Sequence, residues 1–292
     1  MAYGDAMIFQ TENLTAYGGF ETGGGSGIAT GWAAANSGAE VTAQTDSIDS
    51  GYHSGAKAQK LVMTTNAAGW RQYYLTLLMP GPTNQDGQGH LGATMYLTIY
   101  AKRGSSLKQT FRFVVEEQDS AGAAGTTHTG DSNNLTGSYA QYTYSFVITD
   151  TDCAKLKIAL RCGVPDAETS ADFWLDTFTV SEKLTVATNP NSEGSAYVLP
   201  EAFERSINNT GYRQRNISSV PKHTGGRLVF QDLWANIKLL RSLWLWDKLI
   251  TWTPNLYNLP ATMYVYFTGD CTPRRLQQND ALFELAINYQ EQ

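Results

Sequence analysis

Between Thr94 and Val180 the chain alternates apolar and polar residues in short runs. Thr94-Met-Tyr-Leu-Thr-Ile-Tyr-Ala101 does so residue by residue, and Thr110-Phe-Arg-Phe-Val-Val-Glu116 keeps the same period. Tyr139 to Ile148, Lys155 to Cys162 and Asp172 to Val180 repeat it. A period of two sends alternate side chains to opposite sides of an extended backbone, so each run predicts a strand with one buried face. Pro80-Gly-Pro-Thr-Asn-Gln-Asp-Gly-Gln-Gly89 and the stretch Asp119 to Gly130 lie between them and are rich in turn formers. Strands at this spacing, without a helical period among them, predict a β-sandwich of jelly-roll type.

Further along, the period changes. Gly226-Arg-Leu-Val-Phe-Gln231 predicts a strand leading to Asp232, a residue suited to a helix N-cap. Leu233, Ile237, Leu240 and Trp244 then fall on one face of a helix, and Trp246, Leu249 and Ile250 prolong it until Pro254 forbids more. Met263-Tyr-Val-Tyr-Phe267 and Leu282 to Tyr289 predict two closing strands. The expected architecture is mainly β: a jelly roll over residues 1–182, followed by a smaller α+β domain over 183–292. Thr188-Asn-Pro-Asn-Ser-Glu-Gly-Ser195 is a polar connection that puts the boundary between Ser181 and Ser195. Charge changes there too. Residues 1–182 carry 10 basic and 18 acidic residues, a balance of −8, whereas residues 183–292 carry 11 and 9, a balance of +2.

Composition narrows the function. Hydrophobic residues make up 42% of the 292, enough for a sizeable core, while only 16% are charged and the net charge is −6. That acidic balance argues against nucleic acid as a partner, since binding a duplex needs a basic face to neutralise phosphates. Met1 to Gln10 shows no basic stretch followed by an apolar one, so no secretory leader is expected. No run approaches the roughly 18 apolar residues of a membrane span. The richest segment, Leu233 to Trp252, is interrupted by Asn236, Lys238, Arg241, Asp247 and Lys248. Membrane insertion is therefore not expected. Cys153 and Cys162 flank one predicted strand too far apart to bridge, which predicts reduced thiols.

Catalytic chemistry is not legible, and no enzyme is expected. His53, His90, His128 and His223 sit among Gly, Ser or Thr, as loop histidines do, and no pair has metal-ligand spacing. No Gly-x-Ser-x-Gly elbow occurs. Glu116 and Glu117 are adjacent on a strand, so they face opposite ways and read as solvated charges. Gly23-Gly-Gly-Ser-Gly27 lacks the Lys of a phosphate loop and reads as a flexible turn. Tyr212-Arg-Gln-Arg215 and Pro273-Arg-Arg275 read as surface or interface arginines.

One strand carries a different signal. From Trp70 to Leu77, Arg71, Tyr73, Leu75 and Leu77 share one side, and Trp70, Gln72, Tyr74 and Thr76 the other. The leucines belong in the core. That leaves Trp70, Gln72 and Tyr74 on the open side, as candidates for glycan contact: aromatic rings stack on sugar faces, and an amide bonds hydroxyls. The same residues serve equally well in packing or in a subunit interface.

Asn13-Leu-Thr-Ala-Tyr-Gly-Gly-Phe-Glu21, Gly31-Trp32, Ser54-Gly-Ala-Lys-Ala-Gln-Lys-Leu61 and Phe173-Trp-Leu-Asp-Thr-Phe-Thr-Val-Ser-Glu182 follow one another in that order. Together they resemble the carbohydrate-binding-module-like jelly rolls of the galactose-binding-like superfamily, over about residues 10–182. The resemblance implies a structural calcium ion held by Glu21 and Asp176. The residues themselves allow another reading, in which Glu21 accepts backbone N–H bonds in a turn with Asp176 at the same end. Residues 183–292, with a Trp/Leu-rich helix, Tyr264-Val-Tyr-Phe267 and a last strand to Tyr289, resemble the small α+β domains of tailed-bacteriophage tail proteins.

Joined, the two resemblances imply a non-enzymatic structural protein of a phage virion, tail-associated and assembled in the host cytoplasm. Its jelly roll would be displayed toward host-surface glycan. Its partners would be other virion proteins and further copies of itself in a homo-oligomer, with Trp234, Trp244 and Trp246 as packing or interface anchors. The alternative is a noncatalytic carbohydrate-binding module of a bacterial glycan-degrading system.

Overall fold

The structure, a computed structural model, describes residues 7–23, 26–37, 41–65, 69–81, 89–104, 109–164, 170–186, 196–198, 203–207, 213–217, 225–253, 262–276 and 282–291. The connection Thr188–Ser195, His223 and Pro254 fall outside them. The chain forms two compact units, Asn13–Lys183 and Met1–Glu12 with Leu184–Gln292.

The first unit is a jelly-roll β-sandwich of antiparallel strands. One layer runs in the order Ala33–Asn36, Gly69–Leu78, Lys155–Val164, Thr110–Gln118 and Ala124–Thr129, with Asn133–Asn134 also on Thr110–Gln118. The other is ordered Ala140–Val147, Thr94–Arg103, Ser170–Val186, Ala58–Thr65 and Val41–Asp49. Alternation builds the core as expected. Met95, Leu97, Ile99, Leu61, Phe173 and Leu175 are buried on the inner side of one layer, and Phe111, Phe113, Val115, Leu156, Ile158 and Leu160 on that of the other. Each such side chain removed from water contributes about 1.5–3 kcal/mol.

One strand of this unit runs against the sequence pattern. Val41-Thr-Ala-Gln-Thr-Asp-Ser-Ile-Asp49 is almost wholly polar, yet it pairs along Ala58–Thr65 from Asp49↔Ala58 to Val41↔Thr65. Its position at the end of the layer makes few demands on hydrophobicity. Asp46 on this strand reaches the core side and meets Arg71, whose Nε donates to Asp46 Oδ1 at 2.9 Å while Nη2 bonds Oδ2. Tyr73 donates its hydroxyl to the same carboxylate at 2.5 Å, and Arg71 Nη1 donates to Asn36 Oδ1 at 2.6 Å.

The second unit has a sheet in the order Met7–Thr11, Ile250–Thr253, Met263–Thr268, Leu282–Glu291, Gly225–Leu233 and Ala196–Val198. The helix Trp234–Leu245 packs against Gly225–Leu233 and Leu282–Glu291, burying Ile237, Leu240 and Leu243. Phe9 stacks on Trp252 with centroids 5.7 Å apart, inside a core that also holds Met7, Phe230, Val265, Phe267, Leu285 and Ile287.

Three expectations need correction here. Residues 7–11 were assigned to the jelly roll, but Ile8 to Thr11 pair with Thr253 to Ile250 and belong to the second unit. Asp232 is no N-cap: the strand continues through Leu233, with Asp232 opposite Phe283. The helix also stops earlier than its periodicity implied. Asp247 adopts a left-handed φ of 49° and donates its N–H to Trp244 O, which ends the helix and frees Ile250–Thr253 to form a strand. Among the described residues no helix is long and apolar enough to cross a membrane.

Candidate functional site

The strand Gly69–Leu78 alternates buried and half-buried positions from Gly69 to Leu75, with Arg71, Tyr73 and Leu75 inside and Trp70, Gln72 and Tyr74 facing out. Its neighbours supply the rest of that outer face by register. Gly163 stands opposite Trp70, Arg161 opposite Gln72, Ala159 opposite Tyr74 and Lys157 opposite Thr76. One strand further, Thr110, Arg112, Val114 and Glu116 complete the same four rows. On the other flank, Ala33 and Ala35 pair with Tyr74 and Gln72. Small residues therefore stand directly beside both aromatics in their own rows.

Polar side chains hold the aromatics in place. The Arg161 guanidinium lies 3.9 Å from the centre of the Trp70 ring, within stacking range. Its Nε and Nη2 donate to Gln72 Oε1 at 3.2 and 3.0 Å. Lys157 Nζ sits 5.1 Å from the Tyr74 ring and 3.9 Å from Glu116 Oε1, which also accepts from Gln118 Nε2 at 2.5 Å. The three residues singled out from sequence are thus brought together, and Arg161, Lys157, Arg112 and Glu116 join them. Sequence reading missed these four because cross-strand register is invisible in a single chain. Burial, and then the charge of Arg112, push the pKa of Arg161 below its ordinary value.

Glu21 and Asp176 also come together, but around backbone amides. Asp176 is fully buried and its Oδ2 accepts from the N–H of His53 at 2.7 Å and of Ser54 at 2.9 Å, while Oδ1 accepts from Thr177 N at 2.7 Å. Both oxygens of Glu21 accept from Ala56 N, at 3.1 and 3.0 Å. Gly55, at φ 74°, passes so close to Glu21 that a Cβ there would run into its carboxylate. Phe20 and Thr177 hold left-handed φ values of 52° and 53° beside the two acids. Amide hydrogens aimed at both carboxylates tie them to the turn. Among the described residues no group of three His, Cys, Asp or Glu could hold a metal ion. The donor set fits a carboxylate-tied turn.

The three tryptophans proposed as anchors serve packing in the second unit. Trp234 is partly buried, its ring 4.9 Å from that of Phe283. Trp244 is also partly buried and donates Nε1–H to Gly269 O at 3.2 Å. Trp246 is 8% exposed. Of the packing and interface roles that the sequence allows for Trp246, that burial favours packing.

Glu117 and His90, which the sequence suggests are solvated or in loops, are buried. Glu117 is fully buried and accepts from Thr149 N at 3.0 Å, Asp150 N at 2.7 Å and His128 Nε2 at 2.5 Å. His90, also buried, lies 3.0 Å from Glu182 Oε2 and from Pro80 O. These are closed, satisfied pairs without a cleft. The three cysteines are free and buried, and burial pushes the Cys153 and Cys271 thiols up to about 12.

No family model and no curated protein matches the chain. Solved structures similar to it include a family 61 carbohydrate-binding module in complex with β-1,4-galactotriose, at 11% identity and TM-score 0.39, covering 58% of this chain and 98% of that one. Another is the family 22 xylan-binding domain of Paenibacillus barcinonensis Xyn10C, at 16% identity and TM-score 0.40, covering 59% and 95%. A third is the enzymatically active domain of bacteriophage CBA120 tailspike protein 4, at 14% identity and TM-score 0.41, covering 58% of this chain and 21% of that one. Likeness of this strength does not transfer a ligand.

Proposed function

We propose that the chain is a non-enzymatic binding protein that takes up carbohydrate on the solvent face of the layer containing Gly69–Leu78. The observation that carries this is the row Trp70, Gln72, Tyr74, set on alternate positions of a rigid strand and braced by Arg161 and Lys157. Flat, half-exposed rings present stacking surfaces for pyranose faces, and the interleaved amide, guanidinium and ammonium groups offer hydrogen bonds to hydroxyls. A face built from central strands rather than loops keeps that spacing fixed, which lowers the ordering cost of binding an extended chain. Glycan-array binding by the wild type, lost in Trp70→Ala with an unchanged melting temperature, supports the reading. No bound glycan, or equal binding by the variant, overturns it.

We further propose a biological setting that gives the second unit a role. We read the chain as a tail-associated virion component in which residues 184–292 anchor the subunit, and several copies together turn weak sites into firm attachment. A separate core and the exposed Tyr264 and Tyr266, alternating on one strand, support an anchoring role. A noncatalytic module of a glycan-degrading system would use the same face as a monomer. Mass measurement in solution separates the two: a ring-sized homo-oligomer supports the virion reading, and a monomer overturns it.

A further inference from the structure

We infer that the carbohydrate taken up by this face is an acidic one, a polymer whose sugars carry carboxylates that settle between Arg161 and Arg112. The inference rests on the carbohydrate reading above and specifies its chemistry. Residues 1–182 are strongly acidic, yet four of their 10 basic residues, Arg112, Lys155, Lys157 and Arg161, project from the outer face of one layer. The strands of that face turn a single acid outward, Glu116, and it is taken by Lys157. Lys155 Nζ donates to Ser120 O at 2.7 Å. Arg112 and Arg161 are left with no carboxylate among the described residues.

These two arginines stand directly opposite each other in register. Like charges opposite one another in a sheet destabilise it, and the charge of Arg112 adds to burial in lowering the pKa of Arg161. The conflict is relieved when an anion lies between them. Arg161 spends two N–H directions on Gln72, which leaves part of its five-donor fork, and the Arg112 fork, for a carboxylate. Trp70, in the next row, lies where the ring bearing that carboxylate would stack. Two rows away, the Lys157–Glu116 pair is neutral, so the face alternates a cationic spot with an uncharged one. That suits a polysaccharide whose carboxylates are spaced along the chain, as on the alternate sugars of hyaluronan.

Polygalacturonate, alginate and hyaluronan, each beside its carboxyl-reduced counterpart, test this by affinity electrophoresis at low and high salt. The expected result is that at least one acidic polymer is retarded, that carboxyl reduction weakens its binding about tenfold, and that salt weakens the acidic form alone. Arg112→Gln should bind the acidic polymer about five- to tenfold more weakly and its reduced counterpart nearly as well as the wild type. Arg112→Lys, which keeps the charge, should retain the acid preference. Equal binding of acidic and reduced polymers, or an unchanged acid preference in Arg112→Gln, overturns the inference and leaves the carbohydrate reading standing. No binding of any of these polymers or of the glycan array overturns both. So does a single-stranded oligonucleotide that outcompetes every polysaccharide.

Discussion

Arg71 and Arg161 sit on neighbouring strands of one layer, Arg71 opposite Cys162 and Arg161 opposite Gln72, and point to opposite sides of it. Inside, burial alone would lower the pKa of Arg71, but its bonds to Asp46 and its interactions with the Asp46 and Tyr73 groups together outweigh burial and raise it. Outside, nothing offsets burial for Arg161, and Arg112 adds to its effect. The inner guanidinium is finished, with a carboxylate, a tyrosine hydroxyl and an asparagine around it. The outer one has an amide and an indole face, and a like charge across the sheet. The same residue type thus serves architecture on one face and remains available for a ligand on the other. Charge partnership, rather than residue identity, separates the two roles.

Removing the inner partner should have the largest effect. Asp46→Ala leaves Arg71 buried and unpaired, so calorimetry should register a loss of about 3–5 kcal/mol; a loss below about 1 kcal/mol would mean the two faces do not differ as described. On the outer face the sign of the outcome reverses. Trp70→Ala should weaken glycan binding about tenfold or more while costing about 1 kcal/mol or less of stability, and a melting collapse would place Trp70 in the core.

The pH response should divide the faces as well. Burial raises Cys153 to about 12 from an ordinary 9.0, so the folded chain resists its ionisation. That stability is complete below the ordinary thiol value and is lost as pH climbs toward 12. Melting temperature should fall through that window, less steeply in Cys153→Ala, while glycan binding stays level between neutral pH and the start of the fall. A stability that does not change with alkali would contradict the buried assignment. The smallest effect expected is none: a chelator should leave the melting midpoint unchanged, since Glu21 and Asp176 hold amides. A lowered midpoint would restore calcium to that turn.

Much of the sandwich could be read from alternation, because strands such as Thr94–Arg103 and Thr110–Gln118 bury one face cleanly. Trp70, Gln72 and Tyr74 were legible for the same reason. The polar edge strand Val41–Asp49 was not, since an outermost strand needs only backbone pairing and carries no hydrophobic signature. Met7–Thr11 was missed because five residues joining a strand some 240 positions away leave no local mark. Glu117 and His128 read as solvated, although each satisfies the other once strand and turn meet. The arginine pair at positions 112 and 161 is of the same kind: its meaning lies in register, which a single sequence does not display.

Chemical-shift mapping during titration with an array-selected oligosaccharide tests the central claim most directly. The account predicts that perturbed backbone amides and the indole N–H concentrate on Trp70, Gln72, Tyr74, Arg161 and Arg112. Shifts gathered instead at the Glu21–Asp176 turn, or on the helix and tyrosine strand of residues 184–292, would contradict it.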